Sequence, residues 1–78
     1  MNEKIYQVVA STIAEVREIS VSDVAPGKTM KDMDIDSLDM LDIITSLEDH
    51  YGITVPDEAF EGIETVEDAV NCLDKLVD

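Results

Sequence analysis

Residues 32–42 read "DMDIDSLDMLD", with five aspartates and a single serine, Ser37, in eleven positions. An apolar helical pattern begins here, so how the hydroxyl among the carboxylates is read decides how the chain is organised. Three readings compete. The stretch could bind calcium, it could be a plain helix start, or it could present Ser37 for another enzyme to modify.

C-terminal to the serine the helical spacing is clear. At roughly 100° per residue, Met40, Ile43, Ile44, Leu47 and Tyr51 share one side, which should face a core. Asp39, Asp42, Ser46 and Asp49 fall opposite, with Leu38 unexpectedly among them. Asp36 is a good N-cap for a helix starting at 36 or 37, and Asp39 resembles a capping-box partner with a shorter acid. Gly52 suits the C-terminal end. On the N-terminal side, Ile5, Val8, Val9, Thr12, Ile13 and Val16 repeat at i, i+3, i+4 and predict a helix from Glu3 to Arg17. Between the two lies a connection of about twenty residues, broken by Pro26-Gly27. A loop of that length is usually functional or contains a helical turn. Beyond Gly52, Pro56 breaks the chain, Asp57 offers a cap, and "DEAFEG" has room for about one helical turn. Thr65 should cap a last helix, with Asp68 three residues on and Val66, Ala69, Val70, Leu73 and Val77 as its apolar face. The best strand candidate, "YGITV", has no partner. The expectation is one domain over residues 1–78, with three main helices and a short third one.

Composition narrows function. A 78-residue chain with 45% hydrophobic residues can fold around a small core, though only 4% are aromatic, so Ile, Leu, Val and Met must fill it. Nineteen acidic against five basic residues give a formal net charge of −14. Phosphate backbones would be repelled, which argues against nucleic acid, and anionic membranes are disfavoured. Basic protein surfaces are the expected partners. Cys72 is the sole cysteine, so no internal disulfide framework exists and a reducing compartment fits. No apolar run approaches a membrane span, and the start "MNEKIYQVVA" lacks a signal or transit character. A complete, soluble, cytoplasmic monomer is the expectation.

The chemical alternatives fare poorly. "DMDID" opens like an EF-hand loop, but Ser37 stands where the turn glycine belongs and Ile43 where the bidentate glutamate belongs. Serine catalysis needs a base in reach. His50, the single histidine, lies thirteen residues along the same predicted helix, roughly 20 Å away. Lys31 is the one nearby basic alternative, and nothing supplies an oxyanion pocket. His50 reads as a solvated residue near a helix end, and Cys72 as a small half-buried hydrophobe. A serine in a helix's first turn is exposed, and a phosphoester there is electrostatically tolerable. Residues alone leave open whether Ser37 is modified.

At Asp36-Ser37-Leu38 the chain resembles the acyl carrier proteins. The likeness lies in "DIDSLDMLDIITSLEDHYGITVPDEAFEGIETVEDAV" and runs without gaps from Asp36 to Val70: D-S-L-D, an acidic apolar helix, V-P-D-E, then T-V-E-D-A. The N-terminal helix and Pro-Gly loop fit in length but match more weakly. The resemblance implies an all-α four-helix bundle and a non-enzymatic carrier. It implies that Ser37, flanked by Asp36 and Leu38, bears 4′-phosphopantetheine, transferred from coenzyme A by a phosphopantetheinyl transferase and holding acyl groups as thioesters. It makes Asp39, Asp42, Glu48 and Asp49 a surface for basic patches on that transferase, acyl transferases and synthases, with Leu38 an apolar contact for the same partners beside the arm. Met40, Ile44, Leu47, Ile63 and Ala69 become acyl-cavity residues, although each also reads as structural core. Two positions depart from the family pattern: Asp34 stands where glycine is common, and Asp42 where glutamate is common. Fatty-acid synthesis is the expected setting, a specialised polyketide or lipid carrier the alternative, and a small acidic cation-binding or interaction module with an unmodified serine the rival from another class.

So large a charge of one sign strains the compact state. Melting should therefore shift upward when salt or divalent cations are added. A Tm unchanged between low and moderate salt contradicts this reading.

Overall fold

The computed structural model describes residues 1–77, and their regular structure is helical. Helix α1 spans Glu3–Arg17, α2 Ser37–Tyr51, α3 Asp57–Glu61 and α4 Val66–Leu76. The long α1–α2 connection contains two short 3-10 turns, Val21–Asp23 and Lys31–Met33. The expected four-helix, all-α architecture is what forms. Residues 51–55 make no strand, and the one β-type pairing among the described residues is an isolated antiparallel bridge between Thr29 and Thr65.

Each main helix starts on a side-chain cap. Asn2 accepts from the Lys4 and Ile5 amides, Asp36 from the Asp39 amide, and Thr65 from the Asp68 amide. At Thr65 the bond is reciprocated, because Asp68 accepts from the Thr65 amide, completing a capping box. Helix α2 ends at Gly52 in the left-handed conformation, φ 66°, with the Gly52 and Ile53 amides both donating to the Glu48 carbonyl. Helix α3 departs from expectation. Asp57 is its first residue rather than its cap, the cap position falls on Pro56, and no side chain caps the start. With five residues and none buried, α3 is held by its half-buried Ala59 and Phe60 alone.

The core is built from Val9 and Ile13 of α1, Ile43 and Leu47 of α2, and Val66, Val70 and Leu73 of α4, all fully buried. Helix α1 packs against both α2 and α4, so its buried arc is wider than one stripe. Ala10 and Ala14 are buried, whereas Val8, Thr12 and Val16 are only half-buried. Small alanines permit close approach of two neighbours, and the periodicity of large apolar residues alone did not weigh them. Val77 lies just past the end of α4 and is half-buried.

The connection before α2 is anchored rather than loose. Val24, Met30, Met33 and Ile35 are buried with the helices. Three backbone bonds tie the segment to the start of α4: Met30 N–H to Glu64 O at 2.9 Å, Val66 N–H to Lys28 O at 3.0 Å, and Glu67 N–H to Pro26 O at 3.0 Å. The α4 cap therefore also holds the support for the segment leading into α2.

Backbone donors from Thr65 and Glu64 hold the Asp68 carboxyl below its ordinary value near 3.8. A depressed carboxylate contributes stability that is present above that value and lost as pH falls through the lower folded one. Asp68→Asn should thus melt lower than the parent at pH 7, with the gap narrowing as pH drops below about 4. A gap independent of pH contradicts this.

Candidate functional site

The aspartates of residues 32–42 have separate tasks. Asp32 accepts from the Thr29 amide while Thr29 Oγ1 accepts from the Asp32 amide, bracing the second 3-10 turn. Asp34 closes that turn in the left-handed region, φ 55° and ψ 34°, with its amide bonded to Lys31 O. Asp36 Oδ1 accepts from the Asp39 amide at 2.8 Å and starts α2. Asp39 Oδ2 accepts from Arg17 Nη1 at 3.3 Å. The carboxylates of Asp32, Asp36 and Asp39 are spoken for by backbone and side-chain donors of the fold. Asp39 is not the expected capping-box partner, because its side chain turns to Arg17 rather than back to Asp36.

Ser37 is the first residue of α2 and is exposed. Its hydroxyl is not the cap, since Asp36 fills that role. The fold therefore leaves the serine oxygen free for chemistry at an accessible helix start. The first-turn amides and helix dipole favour a phosphate ester there. An exposed oxygen at an amide-rich terminus is what attachment of a phosphodiester requires, so the residues present fit a phosphopantetheine group.

Beside the serine, Leu38 is 72% exposed and Leu41, one turn on, is 54% exposed. Together they make an apolar ridge on a helix whose other exposed side chains are polar or acidic. Leu38 was legible as an anomaly on the polar side; Leu41 escaped notice, although its i, i+3 spacing from Leu38 was the available signal. Asp42 and Asp49 are exposed as expected. Glu48 differs: it is half-buried, and its Oε2 accepts from the Val55 amide at 2.7 Å, pinning the α2–α3 connection. Its carboxylate serves the fold first.

Four of the five candidate cavity residues take the core place that they also read as having. Met40, Ile44, Leu47 and Ala69 are buried in the packed core. A cleft of about 440 Å³ lies between α3 and α4 and is lined by Ile63, Cys72, Lys75 and Leu76 among others. A second, about 340 Å³, lies between the α1–α2 connection and Ile63-Glu64. Of the five expected residues, Ile63 alone lines these two clefts; the others close on one another, as apolar side chains do at interior packing density. Cys72 is half-buried, and burial pushes its thiol up, opposed by nearby Lys75. It is disfavoured as a thiolate nucleophile. His50 is exposed at the far end of α2, its ring edge-on to Tyr51 at 4.8 Å.

A family model described as the phosphopantetheine attachment site matches residues 7–73. The chain is 43% identical over 75 residues to the meromycolate extension acyl carrier protein of Mycobacterium leprae, covering 95% of this chain and 65% of that one. It is 44% identical to the meromycolate extension acyl carrier protein of Mycolicibacterium smegmatis, covering 95% and 76%. Against the acyl carrier protein of Acidothermus cellulolyticus it is 39% identical over 70 residues, covering 88% and 83%. The chain thus spans a little under two thirds of the Mycobacterium leprae relative's length.

A left-handed backbone disfavours a Cβ, most of all a branched one, and aspartate is among the better-tolerated exceptions. Asp34→Gly should keep or raise stability by about 0.5 kcal/mol, whereas Asp34→Val should lower it by about 1–2 kcal/mol. Urea unfolding checks this, and equal losses for both variants contradict it.

Proposed function

From the premise that the chain belongs to the acyl carrier proteins, whose defining feature is a phosphopantetheine attachment site, we propose that Ser37 is the attachment point and that the protein shuttles acyl groups among enzymes. The observation that carries the proposal is the division of labour at the start of α2, where Asp36 caps the helix and Ser37 stands exposed beside it. When bound, the group supplies a long arm ending in a thiol that holds acyl chains as thioesters. The protein's own residues do the rest. The first-turn amides of α2 offer favourable charge to a phosphodiester on Ser37 Oγ. The braced 3-10 turn fixes where that oxygen stands.

Docking is electrostatic first and apolar second. Asp42 and Asp49 draw basic patches on a phosphopantetheinyl transferase, acyl transferases and synthases, speeding encounter. Leu38 and Leu41 then offer buried contact next to the modified oxygen. Asp39 and Glu48 contribute field, but each already holds an internal partner. No described helix is long and apolar enough to cross a membrane, and the reading places the carrier in the cytoplasm with soluble enzymes. Ile63, at the edge of both clefts, is the residue best placed to meet an acyl chain entering beneath α3. Fatty-acid synthesis is the general setting. The 43–44% identity to proteins named for meromycolate extension favours elongation of long-chain lipids as a second reading.

Incubation with coenzyme A and a phosphopantetheinyl transferase should add one phosphopantetheine to the intact mass, and Ser37→Ala should abolish the addition. An unmodified parent chain, or modification that survives Ser37→Ala, contradicts the proposal.

A further inference from the structure

Five basic residues serve a chain with nineteen acids, and one of them stands beside the proposed attachment point. Arg17 lies in the last turn of α1, where the helix dipole favours a cation. Its Nη1 bonds Asp39 Oδ2 at 3.3 Å, with the two side chains 34% and 23% exposed. This is the one ion pair among the described residues. Asp39 is two positions past Ser37 in the first turn of α2. The contact is single-pointed rather than the two-pronged arrangement that makes arginine–carboxylate pairs strong. The Arg17 Nε is buried and finds no partner. Such a pair holds Asp39 without locking it.

We propose that Arg17 is a positioning residue that sets how strongly basic partners grip the Ser37 end of α2, by withdrawing Asp39 from the carboxylates free to receive them. The inference rests on the carrier reading above. An incoming lysine or arginine must share or displace Arg17 to use Asp39. It also meets a local charge one unit less negative than the run of aspartates implies. Removing the guanidinium exposes the carboxylate and raises the attraction, and salt should erase the difference, because the groups are partly exposed. Natural variation at this position would tune carrier affinity without touching the serine or the acidic residues themselves.

The test is calorimetric binding of the unmodified chain to a phosphopantetheinyl transferase at low and high salt. Arg17→Gln should tighten Kd about 2- to 5-fold at low salt and little at high salt. Arg17→Lys should bind like the parent. Asp39→Asn should cost more affinity in the Arg17→Gln background than in the parent. Affinity unchanged or weakened by Arg17→Gln, or an equal Asp39→Asn cost in both backgrounds, overturns the proposal and leaves Arg17 as a brace between helices. Should Arg17→Gln fail to fold, Asp39→Asn in the parent decides: less than a twofold loss supports masking, and a larger loss overturns it. Failure of the Ser37 reading would show in the mass of the transfer product, whereas failure of this one shows in Kd.

Discussion

The hydrogen bond from the Asp39 amide to Asp36 Oδ1 is the interaction on which the site depends. A helix start leaves amides unsatisfied, and a side chain must take one of them. Serine is a common choice for that task. Here the aspartate before it takes the bond, so the serine enters the first turn with its oxygen uncommitted. On the proposed reading, that division has one residue serve folding and its neighbour serve chemistry.

The cap would accomplish little on a loose tether. The approach to α2 is held by the buried side chains of Met30, Met33 and Ile35, by the reciprocal Thr29–Asp32 bonds, and by three backbone bonds to the head of α4. The capping box at Thr65–Asp68 orders that head. Local bonds at two helix starts therefore converge on one rigid junction. By contrast, α3 has no side-chain cap and no buried residue, so the firmest and least anchored parts of the fold lie on either side of Ile63. That contrast would suit the role proposed for Ser37, with one atom held in a fixed place and a chain admitted nearby.

Much of this was legible in the residues. Apolar spacing located α1 and α2, and the Asp36, Thr65 and Gly52 signals marked helix ends correctly, because capping is local chemistry with strong residue preferences. Ser37 stood out through its neighbours and the family likeness together. What escaped the sequence was relational. Ala10 and Ala14 are core because two helices close on α1 at once, a property of packing rather than of hydrophobicity. Asp57 yields the cap position to Pro56 because the chain turns one residue earlier. Glu48 reads as a surface acid until the Val55 amide is found beneath it, seven residues on. Met40, Ile44, Leu47 and Ala69 carried a core and a cavity reading together and lie in the core, and apolar character alone does not distinguish the two. Glu18 occupies a left-handed position that nothing in its side chain announces, whereas Asp34 occupies one where glycine is common and aspartate is tolerated.

The account stands on the junction beneath Ser37 being held rather than merely near in sequence. Amide hydrogen exchange at Met30, Asp39, Val66 and Glu67 measures this most directly, residue by residue. The account predicts that Met30, Val66 and Glu67, though placed in a long connection and at a helix head, exchange far more slowly than the amides of α3, and that the Asp39 amide is protected beyond its first-turn neighbours. Exchange of all four at the rate of an unstructured loop, with α3 as well protected as they are, would contradict it.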